Sequence, residues 1–272
     1  MAQNEEYRRS DGRGATTMRK LGIEIGGLSK SDGSARFGFG AEQVIAGFHG
    51  PSEADRRDEL IDRAALRISH RPLESIPGVS SKAIAASLES IYLPLLNVHA
   101  FPKASLQLTL QSNTSGSSSL NHSSMAARAT CINAATLAIM DGGSVDLLGV
   151  PVACAIAVVP SRPRSKRYDF DASYVTLDGT TPNEDVEDEE DEGGVTMILD
   201  PTLEEEKIAK SRFVFAWAFG AGLGRKGLGS ENVYLESEGA FDNVQFQNAY
   251  NASRIACEQI LREIRDKASE GR

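Results

Sequence analysis

Two consecutive apolar segments lie at the middle of the chain and constrain the fold more than any other feature. The first is rich in alanine, runs from about residue 124 to residue 140, and predicts a helix that ends at Gly142, since glycine commonly closes a helix. The second, residues 145–159, contains a charged residue and a proline and falls short of the roughly 20 residues that a membrane span needs. It therefore predicts a buried strand, and we expect no membrane partner.

Periodic patterns of apolar residues predict further helices and strands before and after these two central segments. Apolar residues alternate with polar or small ones over residues 34–39 and 43–48, which predicts a β-hairpin around Gly40. Apolar residues at helical spacing predict a helix that starts at Ser81, the candidate N-cap. The other candidate strands are residues 60–69, 106–110, 150–159, 196–200, 213–219 and 232–236, and a last helix covers residues 242–267. Groups of strands followed by helices indicate an α+β fold, with the helices packed mainly on one side of a mixed sheet.

The candidate strand Phe213–Phe219 and the last helix allow two predictions about packing. Large and small apolar residues alternate along the strand, so both of its faces are non-polar. We expect one face to pack on the helices of the domain, and the other face or the adjoining edge to meet a partner, because an unpaired edge is an association surface. In the last helix a stripe predicts the buried face, and it contains Val244, Ala252, Ile255, Gln259, Ile260 and Ile264.

The charge distribution separates a nearly neutral body from one charged segment. Eight acidic residues fall between Glu184 and Glu192, so the remainder of a chain of net charge −9 carries a charge of −1. Residues 161–194 lack an apolar period and predict a disordered insertion, whose simplest interpretation is a surface loop without a specific role. Residues 1–17 predict a flexible tail by the same argument. Residues 18–272 are interpreted as a single domain that contains the insertion.

Several motif-like features do not support a site. The glycine pattern at residues 222–227 matches the dinucleotide-binding spelling, but a strand rather than a helix follows it, so a hairpin turn is the better interpretation. Cys131, Cys154 and Cys257 lie far apart, which suggests neither a zinc site nor a disulfide framework and indicates a reducing, intracellular compartment. The four histidines show no paired spacing. We therefore expect no metal and no other cofactor.

Three parts of the sequence, in this order and spacing, resemble one protein family. Residues 32–40 and 43–51 resemble the opening hairpin of RNase PH-like proteins, and Arg128–Gly142 resembles their central helix. Leu199–Thr202, followed by Glu205, resembles a motif of the RNase PH-like ring subunits of the eukaryotic RNA exosome. The resemblance spans roughly residues 20–265 apart from the insertion. It implies an α+β, RNase PH-like domain with mixed sheets and packed helices, of the βαβα, ribosomal-protein-like type.

Most groups that would perform the chemistry of this family are missing. Active members build a phosphate cradle from Gly-Gly-Thr-Arg at the head of the central helix, where the matching residues are Met125 to Arg128, so only the arginine remains. Active members also hold a metal with two acids six residues apart, and the resemblance aligns these with Ile198 and Glu204, of which the first cannot bind a metal. Asp200 is interpreted as a turn residue before a proline. The resemblance thus implies no catalytic residue and no metal site.

Two basic residues are candidates for residual contacts to RNA or another anion. In active members the helix that matches residues 81–96 carries several arginines, whereas here it offers Lys82 alone. One cation gives weak binding, because affinity grows with the number of phosphates neutralised. Arg128 is the other candidate. The competing interpretation of Lys82 is a solvated lysine at a helix start, and that of Arg128 is a structural ion-pair partner.

The resemblance implies a non-catalytic structural subunit that supports 3′-to-5′ RNA processing and degradation. Such a subunit pairs with another RNase PH-like subunit as a heterodimer within a six-subunit ring, whose channel carries single-stranded RNA. RNA-binding cap proteins cover the ring, an associated hydrolytic nuclease receives the RNA, and the complex occurs in nucleus, nucleolus and cytoplasm. One alternative is an active phosphorolytic 3′-to-5′ exoribonuclease, which needs two carboxylates that converge near Arg128. Another is a free-standing RNA-binding module, which needs a more basic surface than this sequence provides.

Overall fold

The computed structural model describes residues 9–73, 76–114, 124–160, 195–220 and 229–270. The elements, in chain order, are β1 (Leu21–Ile25), β2 (Gly33–Phe39), β3 (Glu42–Glu53), β4 (Ala65–Arg71), α1 (Val79–Tyr92), a 3₁₀ turn (Val98–Ala100), β5 (Ala104–Ser112), α2 (Met125–Gly142), β6 (Val150–Pro160), β7 (Val195–Leu199), α3 (Leu203–Ile208), β8 (Ser211–Phe219), β9 (Ser230–Gly239) and α4 (Asn243–Glu270). The predicted insertion 161–194 and the predicted glycine turn at 222–227 lie outside the described residues.

The strands form two sheets. The first has the order β1-β2-β3-β5-β4. It is mixed, because β4 runs parallel to β5 while every other pair of neighbouring strands is antiparallel. The second is antiparallel, with the order β7-β6-β8-β9. Mixed α and β content with packed helices confirms the predicted fold class. The described edges are β1 and β4 in the first sheet and β7 and β9 in the second.

Helix α2 lies between the two sheets and contacts β2 and β3 on one side and β6 and β8 on the other. From Met125 to Ile139 every residue except Arg128 is buried, which suits an alanine-rich helix because small side chains let both sheets approach. The approach is closest at Gly33, where an added Cβ would lie 2.3 Å from the carbonyl oxygen of Ala138. The prediction of helices mainly on one side of a sheet is wrong for the second sheet, because α2 and α4 cover its opposite faces.

Strand β8 is buried along its whole length by elements of the same chain. Its aromatic residues Phe213, Phe215 and Trp217 contact the rings of Phe246 and Tyr250 on α4. Alternate residues of a strand point to the opposite face, and there α2 covers the strand. Both edges are also paired, with β6 and β9. The prediction that one face or edge of this strand meets a partner is therefore wrong.

The buried face of α4 differs in part from the predicted stripe. Ile260 and Ile264 are buried as expected and Ala256 is buried beside them, whereas Val244 is 62% exposed and Ile255 is 60% exposed. Small residues let the helix approach β6 and β8 closely. The spacing of large apolar residues alone therefore predicted a buried face that is partly wrong. No helix in the described part of the chain is long and apolar enough to cross a membrane.

Element boundaries and the N-terminal segment bring further corrections. Helix α1 starts earlier than predicted, with Gly78 at the N-cap position and Ser81 inside the helix. Strand β4 runs over Ala65–Arg71 rather than over residues 60–69. Strand β1 and the short helix α3 were not predicted. The flexible-tail prediction is wrong for residues 9–17, because Arg9 is buried against β7 and α3, while residues 1–8 lie outside the described residues.

Candidate functional site

The head of α2 is an anion-binding arrangement that the protein fills with its own side chain. Ser124 caps the helix by accepting a hydrogen bond from the backbone N–H of Ala127 at 3.2 Å. The carboxylate of Glu206 then accepts from the N–H of Ala126 at 2.9 Å and from that of Met125 at 3.2 Å. The Ser124 hydroxyl donates to the same carboxylate at 3.2 Å. First-turn N–H groups carry partial positive charge and favour an anion, and here that anion is Glu206.

Glu206 is only 2% exposed, so water contributes little to its solvation. Burial raises the pKa of Glu206 to about 7, against the opposing effect of the Ala126 N–H. The nearby charge of Glu42 raises the pKa further, while the Ser124 hydroxyl and the Arg212 guanidinium lower it. The carboxylate that closes the head of α2 therefore titrates near neutral pH.

Arg212 on β8 stands beside this carboxylate without binding it directly. Its Nη2 donates to Glu238 at 2.7 Å, whereas its Nη1 lies 3.9 Å from Oε2 of Glu206. Nη1 is buried and has no hydrogen-bond partner within the described ranges. Because buried polar atoms are nearly always paired, this orphan donor marks the head of α2 as an incompletely filled site.

Helix α3 positions Glu206, and its own first turn is held by a capping box. The Thr202 hydroxyl accepts from the N–H of Glu205, and the Glu205 carboxylate accepts from the N–H of Thr202 at 2.7 Å. This reciprocal capping box starts a helix directly after Pro201. The Glu205 carboxylate also binds Arg9, whose Nε and Nη2 both donate at 2.8 Å. Arg9 is thereby held against the start of α3.

Asp200 is the centre of a second buried ion network. Its carboxylate accepts from the backbone N–H of Arg19 at 2.8 Å, from Nε at 2.9 Å and from Nη2 at 2.6 Å. Arg13 adds a longer contact at 3.4 Å, and Arg19 also donates to Glu42 at 3.0 Å. Asp200 has a positive φ of 50°, so the turn interpretation is correct for its backbone. Its side chain, however, fastens the N-terminal segment to the end of β7.

The two positions predicted to match the metal-binding acids of the family do not meet. Ile198 is buried in a small apolar cluster with Ala157 and Val159, while Glu204 is exposed at the start of α3. The six-residue spacing also separates Asp200 from Glu206, and both of these carboxylates are buried. Asp200 and Glu206 therefore fit the same spacing, and the assignment of the family acids to Ile198 and Glu204 stays a prediction. Among described residues, no group of three or more His, Cys, Asp or Glu side chains is placed to hold a metal ion.

The two predicted RNA contacts lie near the starts of two different helices, Lys82 on α1 and Arg128 on α2. Arg128 pairs with Glu236 on β9, and the Tyr234 hydroxyl lies 2.7 Å from the same carboxylate. The competing interpretation of Arg128 as a structural ion-pair partner therefore describes its position. Lys82 is exposed in the first turn of α1. As RNA contacts, both residues stay predictions.

Four residues that organise the site were missed by sequence reasoning: Arg9, Arg19, Glu206 and Arg212. The spacing Thr202-x-x-Glu205 is a sequence signal for a helix start and would have located α3. No local signal identifies the partners, because Arg9 and Glu205 are 196 positions apart.

Comparison with known proteins places this architecture in a family. The family model described as 3′ exoribonuclease family, domain 1 (RNase PH) matches residues 17–144. Exosome complex component RRP46 of Saccharomyces cerevisiae is 28% identical over 243 residues, covering 89% of this chain and 92% of that protein. The RRP41 homolog of Arabidopsis thaliana, also named as an exosome complex component, is 30% identical over 179 residues, covering 59% of this chain and 67% of that protein.

Solved structures agree on the fold. The crystal structure of rice (Oryza sativa) Rrp46 superposes with a TM-score of 0.69 at 19% identity, covering 94% of this chain and 98% of that one. An archaeal exosome core gives a TM-score of 0.60 at 16% identity, covering 94% and 90%. The sequence around the opening hairpin also resembles the ring subunit numbered forty-six, and the similarity to yeast RRP46 confirms that resemblance. The chain belongs to the 3′ exoribonuclease family of RNase PH-like proteins.

Proposed function

We propose that this chain is a non-catalytic structural subunit of an exosome ring, which supports 3′-to-5′ RNA processing and degradation by forming part of the RNA channel. The observation that carries the proposal is the closed head of α2. The N–H groups of Met125 and Ala126 are already bound by Glu206, and the buried Met125 side chain stands where active members have glycine. A free phosphate would have to displace a tethered carboxylate to reach these donors.

The neighbouring carboxylate is also engaged by the protein itself. Arg19 binds both oxygens of Asp200, and Arg13 reaches one of them. A metal ion would compete with a guanidinium that is already bound in two-pronged geometry. Both acids at the six-residue spacing therefore serve structural contacts, which supports the proposal of a subunit without turnover.

The proposed partners follow from the family. Yeast and rice Rrp46 and the archaeal exosome core support association with other RNase PH-like exosome subunits. We propose a heterodimer within a six-subunit ring, with RNA-binding cap proteins, a hydrolytic nuclease and single-stranded RNA as further partners. We also propose ribosomal RNA among the substrates of the complex, and nucleus, nucleolus and cytoplasm as its location. The described edge strands β1, β4, β7 and β9 offer backbone groups for such association.

Lys82 and Arg128 differ in how readily they could contact RNA. Lys82 is exposed and forms no salt bridge with any other described residue, so it can contact a phosphate of RNA. The Arg128 guanidinium is engaged by Glu236, so an RNA contact there would compete with an ion pair. We therefore propose Lys82 as the stronger RNA-path residue of the two.

One observation favours the alternative of an active phosphorolytic exoribonuclease. Asp200 and Glu206 have the spacing of the two family acids, and Glu42 lies close enough to influence the titration of Glu206. Turnover would require Arg19 to release Asp200 and Glu206 to leave α2. Both contacts are buried, which makes this rearrangement costly.

The assembly part of the proposal is tested by sedimentation of the chain alone and with one RNase PH-like exosome subunit at a time. We expect the chain alone to self-associate or to be poorly soluble, and one such subunit to convert it into a defined heterodimer. An unrelated monomeric RNA-binding domain of similar size serves as the control partner. A monodisperse monomer that ignores every ring subunit would contradict the proposal and favour a free-standing RNA-binding module.

A further inference from the structure

Two of the three cysteines lie far apart in the sequence and meet in the fold. Cys154 lies on β6 opposite Phe215 of β8, whose ring contacts α4, so the Cys154 side chain lies on the same face of the sheet. Cys257 lies on α4, and its thiol forms a hydrogen bond with the Cys154 thiol. Both are free thiols and are no more than 1% exposed. The contact between β6 and α4 therefore holds a buried pair of thiols.

Hydrogen bonds from α4 and β8 orient the two sulfur atoms. The Cys154 thiol donates to the carbonyl oxygen of Ser253 over 3.6 Å, and Ser253 lies one helical turn before Cys257 on the same side of α4. The backbone of Trp217 forms a hydrogen bond with the Cys257 sulfur, and its Nε1 donates to the Ser253 hydroxyl at 2.9 Å. Because the Cys154 thiol donates to Ser253, its sulfur is left to accept from Cys257. The two sulfur atoms are thus held next to each other.

The surroundings of the pair oppose ionisation and favour an uncharged, cross-linked form. Burial raises the pKa of the Cys257 thiol well above its ordinary value, and the neighbouring Cys154 thiol raises that pKa further. Since the thiolate is the reactive form, the thiols react slowly at neutral pH and faster as the pH rises. A disulfide carries no charge and so avoids the cost of burying one. It also stabilises the fold, because it closes a long loop in the unfolded chain.

We propose that Cys154 and Cys257 are a modification site, at which a peroxide oxidises the two thiols to a disulfide that joins β6 to α4. One thiolate attacks an oxygen of the peroxide, the O–O bond breaks and hydroxide leaves, which gives a sulfenic acid. The second thiol attacks that sulfur, the S–S bond forms and the S–O bond breaks. The proton of this thiol departs with the leaving oxygen as water. Both sulfur atoms are oxidised, and hydrogen peroxide is reduced to water.

The place of the pair in the fold defines how the oxidant enters and what the disulfide does. Helix α4 is an outer layer, since one side contacts β6 and β8 while Val244 and Ile255 on the other side are exposed. Hydrogen peroxide is small and reaches the thiols when this helix opens locally. The disulfide then keeps the helix on the sheet, and a thiol reductant restores the free thiols. The site lies on the face of the second sheet opposite to α2 and does not depend on the proposed function.

The test exposes the full chain to hydrogen peroxide, removes the peroxide with catalase, and blocks the remaining thiols with N-ethylmaleimide in denaturant. We expect one blocked thiol, at Cys131, and a cross-linked peptide that contains Cys154 and Cys257. Burial raises the pKa of Cys131 to about 12, so this thiol reacts slowly as well. The thermal midpoint of the oxidised protein should rise by about 4 °C or more, and dithiothreitol should reverse the rise.

Cys131→Ser is the matched control, because it removes a buried thiol outside the pair and should keep both the cross-link and the higher midpoint. Cys257→Ala should lose both, and any change of its midpoint after peroxide reports the oxidation of other residues, such as methionines. The cross-link is read on the intact protein, so a variant that fails to fold does not remove the test. Three blocked thiols after the exposure, or sulfinic acid at Cys154 or Cys257 in place of the cross-link, would overturn the proposal.

Discussion

Two adjacent carboxylates on α3 are equally buried but meet different partners. Glu205 is bound by a complete guanidinium, with both Nε and Nη2 of Arg9 at 2.8 Å. Glu206 is bound by backbone N–H groups and one hydroxyl, while the nearest guanidinium nitrogen stays 3.9 Å away. A full opposite charge compensates burial more completely than the partial charges of a helix end. The first contact therefore fastens the chain, while the second leaves a carboxylate that titrates near neutral pH.

The largest effect is expected from removing the full charge. Arg9→Met leaves Glu205 buried without its cation, and breaking a buried pair in this way costs about 3–5 kcal/mol. In a chain of this size we expect the thermal midpoint to fall by about 6 °C or more. The matched control is Arg67→Ala, which removes an exposed pair with Asp58 and should cost less than about 1 kcal/mol. Equal stabilities of the two variants would show that Arg9 does not fasten the N-terminal segment.

An intermediate effect is expected when the two carboxylates are neutralised in turn. Glu205→Gln leaves the Arg9 guanidinium buried beside an amide, whereas Glu206→Gln replaces a group that is largely protonated in the folded protein at pH 6. Glu205→Gln should therefore be the less stable variant by about 2 kcal/mol at this pH. Denaturant unfolding of both proteins measures the difference. The reverse order would refute the distinction between the two carboxylates.

The smallest effect is a pH dependence that belongs to Glu206. Its pKa in the folded protein, about 7, lies above its ordinary value of 4.5, so the folded protein binds this proton more tightly than the unfolded chain does. The stabilisation is fully present below pH 4.5 and is lost as the pH rises through about 7. Between pH 6 and pH 8, the intact protein should lose about 1 kcal/mol relative to Glu206→Gln.

Unfolding midpoints of both proteins across this pH range measure that loss. Glu42, whose pKa is also raised by burial, interacts with Glu206, so the comparison reports the titration of Glu206 together with its coupling to Glu42. A stability difference that does not change with pH would contradict the raised pKa of Glu206.

The fold could be predicted from the sequence where the signal is local. The hairpin of β2 and β3 shows its alternation within a few residues, and α2 is marked by its apolar, alanine-rich composition and by the glycines at its end. Helix α3 was missed because its six residues are too few to show an apolar period. The layer position of α2 could not be derived, since periodicity does not reveal how many sheets cover a helix.

The site was less predictable than the fold, for two physical reasons. Its ion pairs join residues that are distant in the sequence, such as Arg9 and Glu205, so the sequence around either residue gives no sign of the pairing. In addition, side chains alternate along a strand, so a shift of two residues keeps the same face. Ile198 and Asp200 therefore fit the same face of β7 and its end, and only the structure shows that Ile198 packs in an apolar cluster while Asp200 is held in ion pairs.

The most direct test of the account measures the release of nucleoside diphosphates from a single-stranded RNA in the presence of phosphate and magnesium. The chain is assayed alone and with an RNase PH-like exosome subunit that lacks activity of its own, and an active RNase PH-like enzyme serves as the positive control. Because Glu206 occupies the head of α2, we expect no release above background. Phosphate-dependent shortening of the RNA that disappears in Arg128→Ala would contradict the account and establish an active enzyme.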